Sequence, residues 1–262
     1  MEKKSSEQCL EITTVFPKTN NMTTYSIIQK SQLEGALRLD AEYYCSPETL
    51  RTNFLRGADV VNFIQYGTSE ELNEEGKGYP VLRLNEFDDF FIKNPAKFCD
   101  KITTKEFNVL KLMRGDVLVC RTNGNPKLVG KSAIVLEDAN CAFASYLFRV
   151  RTNEEVITPF TLVAFLNSKY GREQIEKFSM PSIQSNFSPA KFREIKIPTF
   201  SNSAQTFLDS VISEAYSNRK KSMLYYHQAK QLLLQELGLE NFTTEHDTSS
   251  VIHLSDIKQS KR

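Results

Sequence analysis

The sequence predicts an α+β fold, in which a mixed, irregular β-sheet with flanking helices is followed by one long helix. In the first 200 residues, short runs of β-branched and aromatic residues recur between glycine- and proline-containing turn signals. Residues 201–237 contain neither glycine nor proline, and their apolar residues recur at helical spacing. Strand-like and helix-like segments do not alternate regularly, which favours α+β over a parallel α/β arrangement.

The elements begin after a polar amino-terminal segment. Residues 1–22 carry no sustained period, which predicts a flexible leader before a domain that spans residues 23–199. Each predicted strand of this domain is a short apolar run next to a turn signal. The predicted strands are residues 60–64, 81–84, 117–120, 132–136, 145–151 and 195–197.

A helix is predicted to follow the fifth of these strands. Thr158 suits the N-cap and Pro159 the first helical position. Apolar residues then recur at helical spacing to about Phe178, which predicts one helix over this range. Pro181 ends the pattern, and the polar residues 182–189 are predicted to form a loop.

The last predicted element is a helix over residues 200–238, with Gly238 as its C-cap. At the helical rise it would be about 54 Å long, so it needs a partner to pack against. Its apolar stripe is interrupted at residues 218–222, although a polar position in such a stripe can also set the register of a helix pair. Residues 239–262 return to polar sequence and are predicted to be a tail.

Composition limits the class of protein. The chain has 262 residues, 40% hydrophobic and 25% charged, as in a globular protein of one large domain or two small ones. No run of about 18 apolar residues is present, and the first residues lack the apolar core of a secretion signal. The sequence therefore predicts a cytoplasmic protein with no membrane partner.

Cysteine usage and charge narrow the class further. The five cysteines are odd in number, widely spaced and free of C-x-x-C pairs, so neither a disulfide framework nor a zinc site is predicted. The formal net charge is only +1, but residues 79–131 contain ten basic and six acidic residues. A second basic excess covers residues 169–196, which permits a phosphate-contacting surface.

One short segment recurs within the chain. Residues 26–38 align without gaps on residues 250–262, with conservative exchanges between identical positions. Chance can supply so short a match, and the alternative is that a second copy of the chain's own pattern begins near its end. The identical pairs are Ser26 and Ser250, Ile28 and Ile252, Ser31 and Ser255, and Arg38 and Arg262.

Five segments in order resemble the specificity subunits of type I restriction-modification systems. Together they cover most of residues 26–240, and the ordered set is more specific than any one segment. They are RLDAEYY at residues 38–44, YGTSEELNEEGKGYPVLRLNEF at 66–87, RGDVLVCRTNGNPKLVGKSAIV at 114–135, PSIQSNFSPAKFREIKIP at 181–198 and AKQLLLQELGLE at 229–240.

The resemblance implies a non-catalytic subunit that recognises duplex DNA through a target-recognition domain. Members of the family carry two such domains, each followed by a long spacer helix, and the two helices pack antiparallel. This chain has one of each, which implies a half subunit that pairs with a second copy through its spacer helix and reads two inverted half-sites. The implied partners are methyltransferase subunits, which bring S-adenosylmethionine, and restriction motor subunits, which bring ATP hydrolysis and Mg²⁺; this chain would hold no cofactor.

Three polar segments are candidates for contacting DNA, because arginine and asparagine can read base edges while lysine and hydroxyl groups can hold phosphates. Each has an alternative reading as a solvated turn or as a cap of neighbouring elements. The candidates are Tyr66, Thr68 and Ser69 in the first segment, Arg121, Thr122, Asn123, Asn125, Lys127 and Lys131 in the second, and Ser182, Gln184, Ser185 and Asn186 in the third, with Lys191 just beyond.

The long helix supplies candidates for pairing. Its apolar residues recur at a spacing that suits either packing within the chain or contact with a second copy. The candidates for the helix pair are Leu208, Val211, Ala215, Met223, Tyr226, Leu233 and Leu237.

Other classes of function remain open from the residues alone. Glu194 and Lys196 form an E-x-K tripeptide that, with Asp116, would suit a Mg²⁺-dependent restriction or nicking endonuclease. Asn125 and Pro126 begin the motif of amino-methyltransferases, but Lys127 breaks it, so methyl transfer by this chain is not predicted. A third alternative is a silent cassette that recombines with other half subunits through its repeats.

Overall fold

The structure is a computed structural model, and it describes residues 9–14, 24–29, 53–179 and 186–239, the first two ranges as backbone. The chain divides into two compact units, Met1–Ile212 and Ser213–Arg262, and each is described by itself. The RLDAEYY segment, most of the first repeat and all of the second lie outside the described residues. No helix among the described residues has the length and apolarity of a membrane span.

The described residues form many short strands and five helices, and the α+β prediction is confirmed. The strands are β1 (Cys9–Thr14), β2 (Thr24–Gln29), β3 (Phe54–Arg56), β4 (Val61–Tyr66), β5 (Tyr79–Leu82), β6 (Phe87–Asp88), β7 (Phe91–Ile92), β8 (Lys97–Cys99), β9 (Val117–Cys120), β10 (Ser132–Ile134), β11 (Ala142–Phe143), β12 (Leu147–Thr152) and β13 (Lys196–Pro198). The helices are α1 (Thr104–Leu110), α2 (Pro159–Asn167), α3 (Lys169–Ser179), α4 (Pro189–Glu194) and α5 (Asn202–Glu236).

The first unit is organised around a four-stranded antiparallel sheet with strand order β10-β9-β12-β4. A three-stranded mixed sheet, β11-β5-β8, pairs β11 parallel and β8 antiparallel to β5. Three two-stranded ladders, β1-β2, β13-β3 and β6-β7, complete the strand pairing in the described residues. All six predicted strands are present, within a few residues of their predicted bounds.

The core lies on both faces of the four-stranded sheet. All four residues of β9 are buried, as expected for a central strand with both faces covered. On one face, the rings of Phe148, Phe187 and Phe192 lie within about 6 Å of one another. On the other face, Leu118 and Leu147 join a hydrophobic cluster with Phe143 and neighbouring side chains of the smaller sheet. Burial of these aromatic and aliphatic groups is the main stabilising contribution to this unit.

Strand β1 differs from the predicted flexible leader, because it lies within residues 1–22 and pairs with β2. The segment reads CLEITT, and its β-branched residues favour extended backbone even though its overall composition is polar. The boundaries proposed for the leader, the recognition domain, the spacer helix and the tail remain predictions.

The helix predicted from Thr158 to about Phe178 is wrong in one respect, because the structure forms two helices with a break at Ser168. Ser168 has extended backbone, and its hydroxyl donates to the carbonyl of Phe165 and accepts from the amide of Gly171. A side chain at Gly171 would meet the Phe165 carbonyl oxygen at 2.1 Å, so the close turn requires glycine. The predicted start is confirmed, with the Thr158 side chain accepting from the Thr161 amide.

Helices α1 and α4 are absent from the sequence prediction, although both carry N-terminal capping signals. Thr103 and Glu106 form a reciprocal capping box at the start of α1. Ser188 caps α4, and Pro189 occupies its first turn. Each helix has fewer than eight residues, too few for an apolar period to stand out.

The long helix α5, Asn202–Glu236, lies within the range over which a helix is predicted. Thirty-five residues at about 1.5 Å per residue give a length of about 53 Å. Gly238 has φ +66°, the left-handed conformation that ends helices at glycine. In the first unit, the carboxamide of Gln205 accepts from the Thr158 amide, Thr158 Oγ1 donates to Asp209, and Ile212 is buried.

Three cysteines lie among the described side chains, and all are buried and reduced, as the composition predicts. Burial raises the pKa of the Cys120 thiol to about 11 and that of Cys141 to about 12, both from a usual value of 9.0.

We expect the stability of the protein to fall as pH rises above about 9. Above this pH the thiols of the unfolded chain lose their protons, whereas the buried thiols of the folded chain keep theirs, so ionisation favours unfolding. Urea unfolding at pH 8, 9 and 10 measures this effect, and Cys141→Ala should give a smaller decline. An equal decline in this variant and the wild type would contradict the assignment to Cys141.

Candidate nucleic-acid interface

The structure brings residues from all three candidate segments together at one end of the four-stranded sheet. The guanidinium carbon of Arg121 lies 5.1 Å from the ring centroid of Tyr66. Thr122 forms an antiparallel bridge with Asn186, and the amide of Phe187 donates to the carbonyl of Arg121 at 2.8 Å. We name Tyr66, Arg121, Thr122 and Asn186 the junction.

Sheet register explains why these segments meet. Strand β12 pairs Leu147 with Cys120 of β9 and Phe148 with Tyr66 of β4. Cys120 and Tyr66 therefore end their strands on either side of β12, and the residue after Cys120 is Arg121. The sequence predicts the strands, but their order in the sheet depends on tertiary pairing.

Arg121 is held in a partly desolvated position at the junction. Its side chain is half-buried, and its Nε is buried without a hydrogen-bond partner among the described residues. Tyr66 is 44% exposed, so one end of this cation–π pair reaches the surface. Such a pair limits the rotation of the guanidinium and presents its remaining N–H groups in a defined direction.

The segment after Arg121 is an ordered turn fixed by asparagine side chains. Asn123 Oδ1 accepts from the Asn125 amide at 2.8 Å, and Asn125 Oδ1 accepts from the Lys127 amide at 3.1 Å. Pro126–Leu128 form a 3-10 turn, and Gly130 closes the loop by donating to the Cys120 carbonyl at 2.7 Å. Asn125 and Lys127 are exposed, while Lys131 is half-buried at the loop's end. We name residues 121–131 the reading loop.

Thr68 and Ser69 line a cleft that no residue of the reading loop lines. Thr68 pairs with Ala144 through its backbone, and its hydroxyl accepts from the Glu70 amide. Both residues line a cleft of about 630 Å³ beside α1, which also contains the acidic Glu70 and Glu106. Lys105 lines the same cleft. Of the first segment, Tyr66 is the residue that contacts the reading loop.

Lys191 has a position that the sequence does not indicate. Its ammonium donates to the carbonyl of Phe178 at 2.6 Å and to that of Asn186 at 3.2 Å. Lys191 therefore ties the end of α3 to the residue that pairs with the reading loop. The candidates Ser182, Gln184 and Ser185 lie outside the described residues.

Asp116 occupies a buried ion-pair network. The residue is 1% exposed, and its carboxylate accepts from Arg151 Nε at 2.6 Å, from Arg149 Nη1 at 3.2 Å and from the Met113 amide at 2.9 Å. Arg149 is itself buried, and it also donates to the carbonyls of Lys111 and Val109 and to the side chain of Gln65. Burial lowers the pKa of Arg149, and the Asp116 carboxylate opposes this shift.

This network leaves the endonuclease alternative without support. The carboxylate of Asp116 is already engaged by two guanidinium groups, Glu194 is exposed at the end of α4, and the Lys196 ammonium lies over the Phe54 ring at 4.9 Å. Among the residues that the structure describes, no group of three or more histidine, cysteine, aspartate or glutamate side chains could hold a metal ion.

The long helix carries many uncovered apolar side chains. Val211, Met223, Tyr226, Leu233 and Leu237 of the predicted pairing set are exposed, as is Ala215, whereas Leu208 is half-buried. Two further apolar residues outside the predicted pairing set, Tyr225 and Leu232, are 63% and 58% exposed.

No protein-family model matches the chain. The chain is 25% identical over 190 residues to the type I restriction enzyme StySPI specificity subunit of Salmonella potsdam, covering 70% of this chain and 39% of that protein. It is 27% identical over 109 residues to the EcoKI specificity subunit of Escherichia coli K12, covering 40% of this chain and 23% of that protein. The chain thus spans about two fifths or less of the length of these relatives.

Among solved structures, the HsdS subunit from Thermoanaerobacter tengcongensis aligns with 18% identity and a TM-score of 0.44, over 72% of this chain and 43% of that chain. The similarity to specificity subunits that the sequence motifs indicate is confirmed by the two curated relatives.

Proposed function

We propose that this chain is a non-catalytic DNA-recognition subunit of a type I restriction-modification system, acting in the cytoplasm. It binds duplex DNA in a sequence-specific manner through the domain of residues 23–199, and the enzymes that it directs are separate chains. The observation that carries the proposal is the junction, where three distant polar segments meet at one end of a rigid sheet. The matches to two specificity subunits give this geometry its most direct interpretation.

The chemistry of the junction and reading loop suits base recognition. Arg121 can donate two hydrogen bonds to guanine, and an asparagine amide can bind adenine in the same bidentate way. Exposed Lys127 supplies a positive charge for a phosphate without reading sequence. An ordered loop loses little conformational entropy on binding. More of the free energy of its contacts is therefore available to distinguish one base pair from another.

The proposed partners are the methyltransferase and restriction motor subunits of such a system. S-adenosylmethionine, ATP and Mg²⁺ would bind to those partners, and this chain would recognise the DNA sequence. A second copy of the chain, joined through α5, would give the two recognition domains that a bipartite site requires.

The exposed residues of α5 favour one register for that pairing. A heptad seam runs through Leu208, Val211, Ala215, Asn218, Ser222, Tyr225, Ala229 and Leu232. This seam leaves four residues of the predicted pairing set, Met223, Tyr226, Leu233 and Leu237, outside its a and d positions. Antiparallel pairing about residue 220 places Val211 opposite Ala229 and Ala215 opposite Tyr225, so that large and small side chains alternate. Asn218 then lies opposite Ser222 at the centre, where a polar pair selects this register over shifted ones.

Selection from a library of duplexes with randomised base pairs tests the recognition proposal. The purified chain, alone and with a methyltransferase subunit, should enrich a defined sequence, and the enriched duplex should bind more tightly than a shuffled one by several orders of magnitude. Binding without any enriched sequence in either arm would contradict the proposal.

We expect Arg121→Ala and Lys127→Ala to have different effects on binding to the selected duplex. Arg121→Ala should lose about 1–3 kcal/mol of discrimination at one base pair, since a bidentate contact is removed. Lys127→Ala should weaken binding to all sequences alike and reduce the salt dependence by about one phosphate contact. Fluorescence anisotropy at several salt concentrations measures both effects.

Lys105→Ala is the matched control, because Lys105 is an exposed lysine on α1, beside the acidic cleft. It should change neither discrimination nor salt dependence. If Arg121→Ala and Lys127→Ala both bind like the wild type, the reading loop lies outside the interface.

A further inference from the structure

Helix α3 contacts the reading loop through an arginine that the motifs do not single out. Arg172 Nη2 donates to the carbonyl oxygen of Lys127 at 3.0 Å. This carbonyl belongs to the 3-10 turn Pro126–Leu128, at the middle of the reading loop. The reading loop is therefore held in its middle by a side chain of α3, as well as at its two ends.

Ile175, one helical turn beyond Arg172, supports the same loop at Gly130. A Cβ at position 130 would lie 2.4 Å from Ile175 Cγ2 and 3.1 Å from Arg172 Nη1. Gly130 also has φ +78°, a conformation that other residues rarely adopt. Two side chains of one helix face thus hold the loop at Lys127 and at Gly130.

A chain of hydrogen bonds links Arg172 to the asparagines of the reading loop. Arg172 binds the carbonyl of Lys127, the amide of Lys127 binds Asn125 Oδ1, and the amide of Asn125 binds Asn123 Oδ1. Lys127 carries both the carbonyl bound by Arg172 and the amide bound by Asn125, so a shift of this residue is passed to both asparagine side chains. Their remaining amide donors point in directions that depend on this chain.

Partial burial of the Arg172 guanidinium costs free energy, so the residue is a poor choice if its only role is to stabilise the fold. Burial lowers the pKa of Arg172, and the nearby carboxylate of Glu176 offsets this only in part. Its Nη1 is buried with no hydrogen-bond partner among the described residues. A half-buried cation whose Nη1 has no hydrogen-bond partner among the described residues contributes little net stability, which favours a positional role.

We propose that Arg172 is a positioning residue for sequence readout, which sets the geometry of Asn123 and Asn125 by holding the Lys127 carbonyl. This inference rests on the proposed DNA-recognition function. Because Nη1 is buried, Arg172 acts through the loop and does not itself contact DNA. Its loss should therefore relax specificity more than it lowers affinity.

The test compares Arg172→Gln with Lys169→Gln on the duplex selected by the wild-type chain and on a panel with single base-pair changes. Both variants remove one positive charge from α3, but Lys169 is exposed and lies near Glu173, away from the loop contact. Arg172→Gln should reduce discrimination against the changed duplexes by about tenfold, a loss comparable to that of one base contact. Lys169→Gln should discriminate as the wild type does.

Hydrogen–deuterium exchange supplies a readout that does not depend on DNA. Amides of residues 127–131 should exchange faster in Arg172→Gln and at the wild-type rate in Lys169→Gln. If Arg172→Gln fails to fold, Arg172→Lys replaces it, because lysine keeps the charge but loses the planar fork. Arg172→Lys should give a smaller loss of discrimination in the same panel.

Three results would overturn the inference while leaving the proposed function intact. These are wild-type discrimination in the Arg172 variant, an equal loss in Lys169→Gln, or a uniform loss of affinity across the panel with unchanged ratios. If the wild-type chain itself selects no sequence, the proposed function fails, and the positioning role fails with it.

Discussion

Replacing Asp116 by alanine is expected to lower the free energy of unfolding by about 3–5 kcal/mol, since it leaves the buried Arg149 guanidinium without its carboxylate. Arg151 also loses its partner, and the Met113 amide loses its acceptor. Asp116 directly precedes β9, and both arginines lie on β12; these are the two central strands of the four-stranded sheet. Urea unfolding followed by circular dichroism measures the loss.

Asp138→Ala is the matched control for this prediction. Asp138 is exposed and accepts a hydrogen bond from the Arg114 amide, so its removal should cost less than about 1 kcal/mol. An Asp116→Ala variant as stable as Asp138→Ala would mean that the carboxylate is not committed to the arginines. The endonuclease alternative would then regain a free acidic group.

Two glutamates placed on the proposed seam, Tyr225→Glu with Leu232→Glu, are expected to convert a dimer of the chain to a monomer. The double variant puts four charges into one interface of exposed apolar residues, where desolvation and repulsion oppose association. We expect the dissociation constant to rise by at least a hundredfold, about 2.7 kcal/mol. Sedimentation velocity over a range of concentrations measures the change.

Met223→Glu is the control for the seam. Met223 is as exposed as Tyr225, but the heptad places it on the outer side of the helix, away from the proposed partner. It should leave the dimer intact. A wild-type chain that is monomeric at high concentration, or a Met223→Glu variant that dissociates like the double variant, would contradict the proposed register.

Local signals account for the parts of the fold that the sequence predicts well. The strand at residues 117–120, the cap at Thr158 and the end of α5 at Gly238 each depend on a few adjacent residues. The break at Ser168 also has a local signal, because the Ser168 hydroxyl accepts from the Gly171 amide. The apolar residues on both sides of Ser168 continue the helical spacing, so this signal does not stand out in the sequence.

The candidate site shows the same division. Residue types in the reading loop point to base contact, and the loop's asparagines do lie together. That Arg121 stacks on Tyr66 and pairs through its neighbour with Asn186 follows from strand order, which no local pattern reveals.

Asp116 and Arg172 illustrate what sequence reasoning leaves open or overlooks. Asp116 follows a glycine at the start of a strand, a position that also suits a metal ligand, and only its burial between two arginines shows its structural role. Arg172 lies within an ordinary amphipathic helix, and its hydrogen bond to Lys127 joins residues 45 positions apart. Tertiary contact decides the role of both.

The central claim is that this chain directs a methyltransferase to a defined DNA sequence. Co-expression of the chain with a type I methyltransferase subunit, followed by mapping of methylated bases, tests it most directly. We expect the two proteins to purify together, and we expect methylation to fall on one bipartite motif with two inverted, identical halves, changed in one base by Arg121→Ala. Methylation without a common motif, or a motif that persists when the chain is omitted, would contradict it.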